Sequence, residues 1–269
     1  MEYYAIIVEG RTDSAVVEAI ICNSLNYRIL ETVDEVPALF KGLIGSYPVT
    51  KKGKIKSLRP EGFPIFAINQ SDKSIIIKIA NGNQNICKEI ENISAALQTS
   101  DFIDEFVGFI VFIDSDLKTN EQIEHDLAKA LRKLEINWNF KSHILEYNDL
   151  QKQLYIYKFP QTGNGAIETL LLNCAKKLYP EIYSKTEKFK QEILEDSALE
   201  IIIKSWTKNE KIVPFYADKM QIECISAVLK PDKPIAMAVK DKIIRNNQKC
   251  LQEVDEYRRL ECFLENLLK

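Results

Sequence analysis

No two cysteines in this chain are spaced C-x-x-C, although six are present (Cys22, Cys87, Cys174, Cys224, Cys250 and Cys262), most of them among apolar neighbours. That scatter argues against a zinc module and against a disulfide framework, so a cytoplasmic protein with reduced thiols is expected. No uninterrupted apolar run approaches the roughly 18 residues of a membrane-spanning helix, and the chain opens on a strand pattern instead of a leader, so no membrane partner is expected. The sequence has no G-x-x-x-x-G-K-[ST], hence no P-loop and no ATPase of its own. Solenoid repeats, low-complexity tracts and Gly- or Ser-rich linkers are absent too. Excess positive charge is also missing: the net charge is -3 and the pI near 5.7, which excludes a generally basic nucleic-acid coat but leaves room for a local basic groove. With 46% apolar residues in a length of 269, the chain can build the core of one large domain or two modest ones.

What is present is a recurring plan of strand, acidic stop and helix. Residues 3 to 8 are aromatic, β-branched or small apolar types without alternation, as in a strand covered on both faces. Glu9 ends the run, Gly10 permits a sharp turn, and Thr12 or Asp13 can cap a helix with Val16, Val17, Ile20 and Ile21 on one face. The plan returns at Ser74 to Ala80, followed by Asn81-Gly82-Asn83 and a helix carrying Ile86, Ile90, Ile93 and Leu97. It returns again at Phe109 to Ile113, closed by Asp114-Ser115-Asp116 and a helix from Glu121 to Leu134. Leu154 to Phe159, stopped by Pro160, is a fourth strand, and a polar loop leads to a helix starting near Ile167. This alternation predicts an α/β fold with a doubly wound sheet. After about residue 181 the strand signal fades, and segments 185 to 204, 216 to 229 and 235 to 268 read as a helical cap. The expected division is therefore an α/β unit over 1–180 and a helical region over 181–269 packed on it.

An insertion over about residues 31 to 73 reads as β-rich irregular structure. Phe63 to Ile68 and Ser74 to Ala80 form one expected hairpin, and Lys51-Lys52-Gly53-Lys54 the tip of another. From 41 to 59 the basic residues Lys41, Lys51, Lys52, Lys54, Lys56 and Arg59 meet no acid. A Lys-rich tip is commonly a solvated loop or a protected sheet edge. With a polyanionic partner, Lys51, Lys52, Lys54 and Lys56 become the candidates for backbone contact.

The carboxylates carry the chemistry. Carboxyl ends of parallel strands line a common crevice, so Glu9, Asp114 and Asp116 are expected to meet although a hundred residues separate them. In an extended strand end Asp114 and Asp116 point to one side while Ser115 faces away. Clustered carboxylates repel unless a cation lies between them, and Mg2+ (or Mn2+) is the hard divalent ion that suits them. Read alone, D-x-D is a weak motif because Asp commonly caps a helix after a strand.

Val8-Glu9-Gly10-Arg11-Thr12-Asp13 together with Phe112-Ile113-Asp114-Ser115-Asp116 resembles the signature of the Toprim superfamily of topoisomerases, bacterial primases, recombination proteins and OLD-type nucleases. The resemblance covers roughly residues 3 to 175 and implies a Toprim-like (Rossmann-like), mostly parallel sheet flanked by helices. It also implies acid/base or metal duty for Glu9 and metal binding by Asp114 and Asp116. OLD-type nucleases and small stand-alone members are the nearest likeness, because Asp13 follows Glu9 by four residues and Glu168 stands in Gly165-Ala166-Ile167-Glu168. By that likeness Asp13 and Glu168 help hold a second metal, and a lysine steadies the phosphoryl group. Lys219 is the choice for that lysine, with Lys240 and Lys242 as alternatives. Simpler roles compete: Asp13 as a helix cap, Glu168 as a first-turn acid facing the helix dipole. His125 and His143 read as surface or packing residues.

The leading expectation is Mg2+-dependent nuclease chemistry on DNA or RNA, with a protein partner supplying the ATPase or targeting that the chain lacks. The alternatives are a non-catalytic Toprim-fold module binding metal, nucleotide or nucleic acid in a larger complex, and a receiver-like signalling domain. Fold does not guarantee activity.

Overall fold

The parallel centre of the sheet comes from the apolar runs that end in acids. In the computed structural model, which describes residues 1–44, 64–196 and 213–269, β1 (Glu2–Val8) lies between two parallel neighbours, β4 (Lys73–Ile79) and β5 (Phe106–Asp114). β8 (Leu150–Phe159) continues the parallel set beyond β5. The remaining strands are β2 (Arg28–Ile29), β3 (Ile65–Ile68), β6 (Asn137–Asn139) and β7 (Ile144–Tyr147), and the order across the sheet is β2-β3-β4-β1-β5-β8-β7-β6.

Alternation along the central strands explains why they read as unbroken apolar runs. Tyr4, Ile6 and Val8 enter one core while Tyr3, Ala5 and Ile7 enter the other. Ile110 and Phe112 of β5 likewise oppose Phe109, Val111 and Ile113. The first core is covered by α1 (Arg11–Ser24), α5 (Ile167–Leu178) and the C-terminal helices. The second is covered by α2 (Ala38–Ile44), α3 (Ile86–Leu97) and α4 (Asn120–Arg132). A strand buried on both faces has no polar face to display, which is the physical content of the missing period of two.

The flanks are antiparallel, so the sheet is mixed and not mostly parallel: β1–β4, β1–β5 and β5–β8 are parallel, but β2–β3, β3–β4, β6–β7 and β7–β8 are antiparallel. The expected hairpin of β3 and β4 accounts for one flank. Asn69 Oδ1 accepts from the Ser71 and Lys73 N–H groups in its turn. The other flank is a meander running from α4 through β6 and β7 into β8, where short connections permit only antiparallel pairing. The first residues of β8, Leu-Gln-Lys-Gln, are half exposed, which hid them from a search for apolar runs.

Past α5 the described residues form helices: α6 (Pro180–Glu195), α7 (Val213–Leu229), α8 (Ile235–Ala238) leading into a π-helical turn (Val239–Ile244), α9 (Gln248–Leu251) and α10 (Asp255–Leu268). The expected single helix over 235–268 is thus broken. Asn246 takes a left-handed backbone (φ 66) and Asn247 Nδ2 donates to the carbonyls of Lys242 and Ile243, which stops the helix there. No helix among the described residues is long and apolar enough to cross a membrane. The basic tip with Lys51, Lys52, Lys54 and Lys56 lies outside the described residues, as does the end of the helical segment expected over 185 to 204.

Candidate active site

Glu9 leaves the end of β1 and is held there by the loop after β4. The Ala80 N–H donates to the Val8 carbonyl at 2.8 Å and the Gly82 N–H to the Glu9 carbonyl at 3.1 Å. The Asn83 backbone N–H reaches the Glu9 carboxylate itself. Gly10 is not in a turn conformation of its own: its backbone is extended (φ -136, ψ -176). What it provides is space and a donor, since its N–H donates to Asp13 Oδ2 at 2.8 Å and a Cβ there would lie 3.1 Å from that oxygen. The helix thus begins earlier than expected, at Arg11 with Gly10 as its N-cap, and neither Thr12 nor Asp13 occupies that position; Asp13, the third helical residue, binds back to the cap N–H while standing almost fully buried among other acids.

Asp114 closes β5 opposite Phe159, and its Oδ1 accepts from the Ile167 N–H at 2.9 Å, so this carboxylate fastens the start of α5. The chain then leaves the strand. Asp116 adopts φ 47 and forms an isolated antiparallel bridge with Gly165, N–H to carbonyl at 2.7 Å one way and 3.1 Å the other. Ser115 Oγ also donates to the Gly165 carbonyl. The expected extended D-x-D, with both carboxylates on one side of a strand, is thus replaced by a turn, a left-handed conformation that Asp tolerates better than most residues. Gly165 itself has φ 150, and a Cβ there would meet Thr169 Oγ1 at 2.5 Å and Pro160 Cδ at 3.0 Å. Gly165→Ala is accordingly expected to cost about 1–3 kcal/mol, read by urea unfolding, since both the conformation and the space exclude a side chain. An unchanged midpoint would contradict this.

The acids act on one another electrostatically. Glu9 is pushed above the ordinary carboxyl range by burial, then by the charges of Asp116 and Glu168, against the Asn83 N–H and Lys219. Asp13 is pushed up to about 7 by burial, with Glu168 and then Glu9 adding to it. Asp114 is driven well up by burial and by Asp13, Glu168 and Glu9, in that order. Burial raises Glu168 also, while its own N–H and Lys219 pull it down. Asp116 is raised by burial and moderated by Lys118. Asp114 and Asp116 both line one cleft beside this edge.

Lys219 is exposed on α7 and is the cation that acts on both Glu9 and Glu168. Lys240 pairs with Glu18 at 3.3 Å, and neither it nor Lys242 is among the charges that shift the acids most. Asp218, beside Lys219, raises Glu168 while pairing with Lys190 at 3.1 Å, and Lys118 pairs with Asp126 at 2.7 Å near Asp116. Neither Asp218, on α7, nor Lys118, in the loop before α4, stands out in the sequence, because a single charge on a helix or loop carries no pattern. Asn83 was visible as part of a strand-ending Asn-Gly-Asn, but not as the holder of Glu9. His125 is exposed, and exposed His143 lies against the Tyr155 ring at 5.0 Å.

In kind, the donor set fits a hard divalent cation: five carboxylates, all raised, with Lys219 acting on Glu9 and Glu168 and Lys118 on Asp116. It is not a finished shell. Among the described residues no three Asp, Glu, His or Cys side chains are grouped to hold a metal ion. The two observations agree, because carboxylates perturb one another across several ångströms, whereas ligands of one Mg2+ each stand about 2.1 Å from it.

A family pattern matches residues 3–267, sheet and C-terminal helices together. The chain belongs to the family described as "Protein of unknown function (DUF3226)". The acidic edge and α7 with Lys219 both fall within the DUF3226 match. The crystal structure of hypothetical protein PH0156 from Pyrococcus horikoshii OT3 is similar over 98% of this chain and 100% of that one, with TM-score 0.52 and 14% identity, a likeness of fold alone. No curated protein matches this DUF3226 chain.

Proposed function

We propose that the protein has a Toprim-like fold and performs divalent-cation-dependent phosphodiester cleavage of nucleic acid at the edge formed by Glu9, Asp13, Asp114, Asp116 and Glu168. The observation that carries this reading is the meeting of five carboxylates from the ends of β1 and β5 and the starts of α1 and α5, with Lys219 across from them. Structural ion-pair networks balance their charges, and here acids outnumber cations at a site whose carboxyls burial has already raised. Strongly perturbed groups in such a place favour function over packing.

Those five acids would hold the cation. When bound, it supplies stabilisation of the charge on the attacking and leaving oxygens of a phosphodiester. Glu9, held above its ordinary range chiefly by burial, is a stronger base than an exposed glutamate and is suited to take a proton from water. The Lys219 ammonium faces the same edge and suits an anionic phosphoryl group drawn to it. Asp114 has a second duty in fastening α5, so that Glu168 is carried on a helix fixed to the site.

A second reading, a non-catalytic module that binds nucleotide or nucleic acid within a larger complex, goes with the finding that among the described residues no three ligands are grouped to hold a metal ion. Plasmid, linear DNA and RNA incubated with Mg2+ or Mn2+ and then with EDTA separate the two. Cation-dependent cleavage that disappears in Asp114→Ala plus Asp116→Ala supports the enzyme. Equal behaviour of variant and wild type in every case removes it.

A further inference from the structure

Beside the acidic edge lies a cleft of ≈ 360 Å³ that the reading above leaves without a role. Its floor is apolar, made by Cys87, Ile113, Ile123 and Leu127, and the side-chain amides of Asn83 and Gln84 stand along one rim. Asp114, Asp116 and the Lys118–Asp126 pair also line it. Acids and lysine thus border an apolar slot whose rim carries amide donors and acceptors.

We propose that this cleft receives one unpaired nucleoside of a nucleic-acid strand whose phosphate is drawn to the acidic edge. The proposal rests on the phosphodiester reading for its neighbouring phosphate. The volume lies at the low end of the 300–1,000 Å³ typical of small-ligand sites, enough for a single base with its sugar but not for a base pair. The apolar floor suits the face of a flat heterocycle, and Asn and Gln amides suit the mixed donors and acceptors on its edge. Charge divides the occupant in the same way: Lys118 and Asp126 neutralise each other as a pair, which leaves Asp114 and Asp116 as the charged groups of the lining on the side of the acidic edge. Among the described residues no aromatic ring lines the cleft, so the base is held by burial and edge contacts, without stacking on a ring. A duplex must then open before a nucleotide can enter, and single-stranded or frayed ends become the preferred substrate.

The test is equilibrium binding to the full chain, with Mg2+ present, of nucleoside 5′-monophosphates against ribose 5-phosphate, and of a single-stranded oligonucleotide against the same sequence as a duplex. The expected result is at least about tenfold tighter binding of the nucleotide than of the sugar phosphate, and of single strand than duplex. Ala130→Phe, which fills the cleft from its partly exposed α4 wall, is expected to erase both differences. Gln84→Ala, at an exposed rim position, is expected to reduce them without disturbing the fold. Equal binding of nucleotide and sugar phosphate, no binding of either, or a preference for the nucleotide that single strands do not share would each overturn the assignment. Loss of cleavage alone, with the base preference intact, would strike the enzymatic reading and leave this cleft standing.

Discussion

Replacing Asp13 by asparagine is expected to stabilise the cation-free protein at pH 8 by a few kcal/mol, an unusual outcome for a substitution at a buried polar position. Asp13 is 6% exposed, and its carboxyl is pushed from 3.8 to about 7 by burial and by Glu168. At 1.36 kcal/mol per pH unit of displacement, ionising it in the folded state costs on the order of 4 kcal/mol. An asparagine oxygen can still accept from the Gly10 N–H, so the helix start keeps its bond while the charge disappears. The sign of the pH dependence follows from the raised folded value. Below pH 3.8 both states are protonated and the penalty is absent; between 3.8 and about 7 the unfolded chain releases its proton first, so stability falls as pH rises; above about 7 the full penalty remains. The advantage of Asp13→Asn should therefore open between these limits and reach its full size at pH 8. Urea unfolding in EDTA across that range reads it, and a variant less stable than wild type at pH 8 contradicts the electrostatic account. Added Mg2+ should narrow the gap by stabilising the wild type more than the variant.

Glu9→Gln is expected to lower cleavage by about 10²–10³-fold with little change in stability, the size seen when one preorganised polar group is removed from a transition-state site. Glu9 is central among the five: it raises Asp13 and Asp114, is raised by Asp116 and Glu168, and faces Lys219. Glutamine can still accept from the Asn83 N–H, so the loss tests charge and proton transfer apart from architecture. Lys219→Ala should lower cleavage in the same direction, with Lys219→Arg restoring part of it, because the ammonium acts from an exposed position on α7 with no packing duty. Wild-type rates in Glu9→Gln and Lys219→Ala would remove both residues from the reaction. In the wild type the rate should fall as pH drops through the raised carboxyl range, since protonated acids neither accept a proton nor attract a cation.

The fold was legible where burial is symmetric or periodic. Residues 3 to 8 and 109 to 113 are apolar throughout because each side chain enters one of two cores, and the turn at Asn69 to Lys73 carries its own hydrogen-bonding chemistry. The meander of β6 and β7 escaped because three- and four-residue strands with one half-exposed face leave little pattern. Glu9 and Asp114 stand at the ends of β1 and β5, and Asp13 and Glu168 in the first turns of α1 and α5, as the strand–acid–helix plan suggested, whereas Lys219 lies within α7, where no local pattern points to it. The path of Asp116 did not follow from its neighbours: a two-residue alternation assumes a strand that continues, and the bond between Asp116 and Gly165, 49 positions apart, ends it. Gly10 shows the same limit in reverse, being required for the room it leaves Asp13 and not for a turn.

All of this depends on whether the five acids gather around one cationic centre. Diffraction from crystals soaked in Mn2+, recorded at the manganese absorption edge, tests it most directly. The account predicts anomalous density between Glu9, Asp114 and Glu168, lost in Asp114→Asn crystals; density elsewhere in the molecule with none at this edge would contradict it.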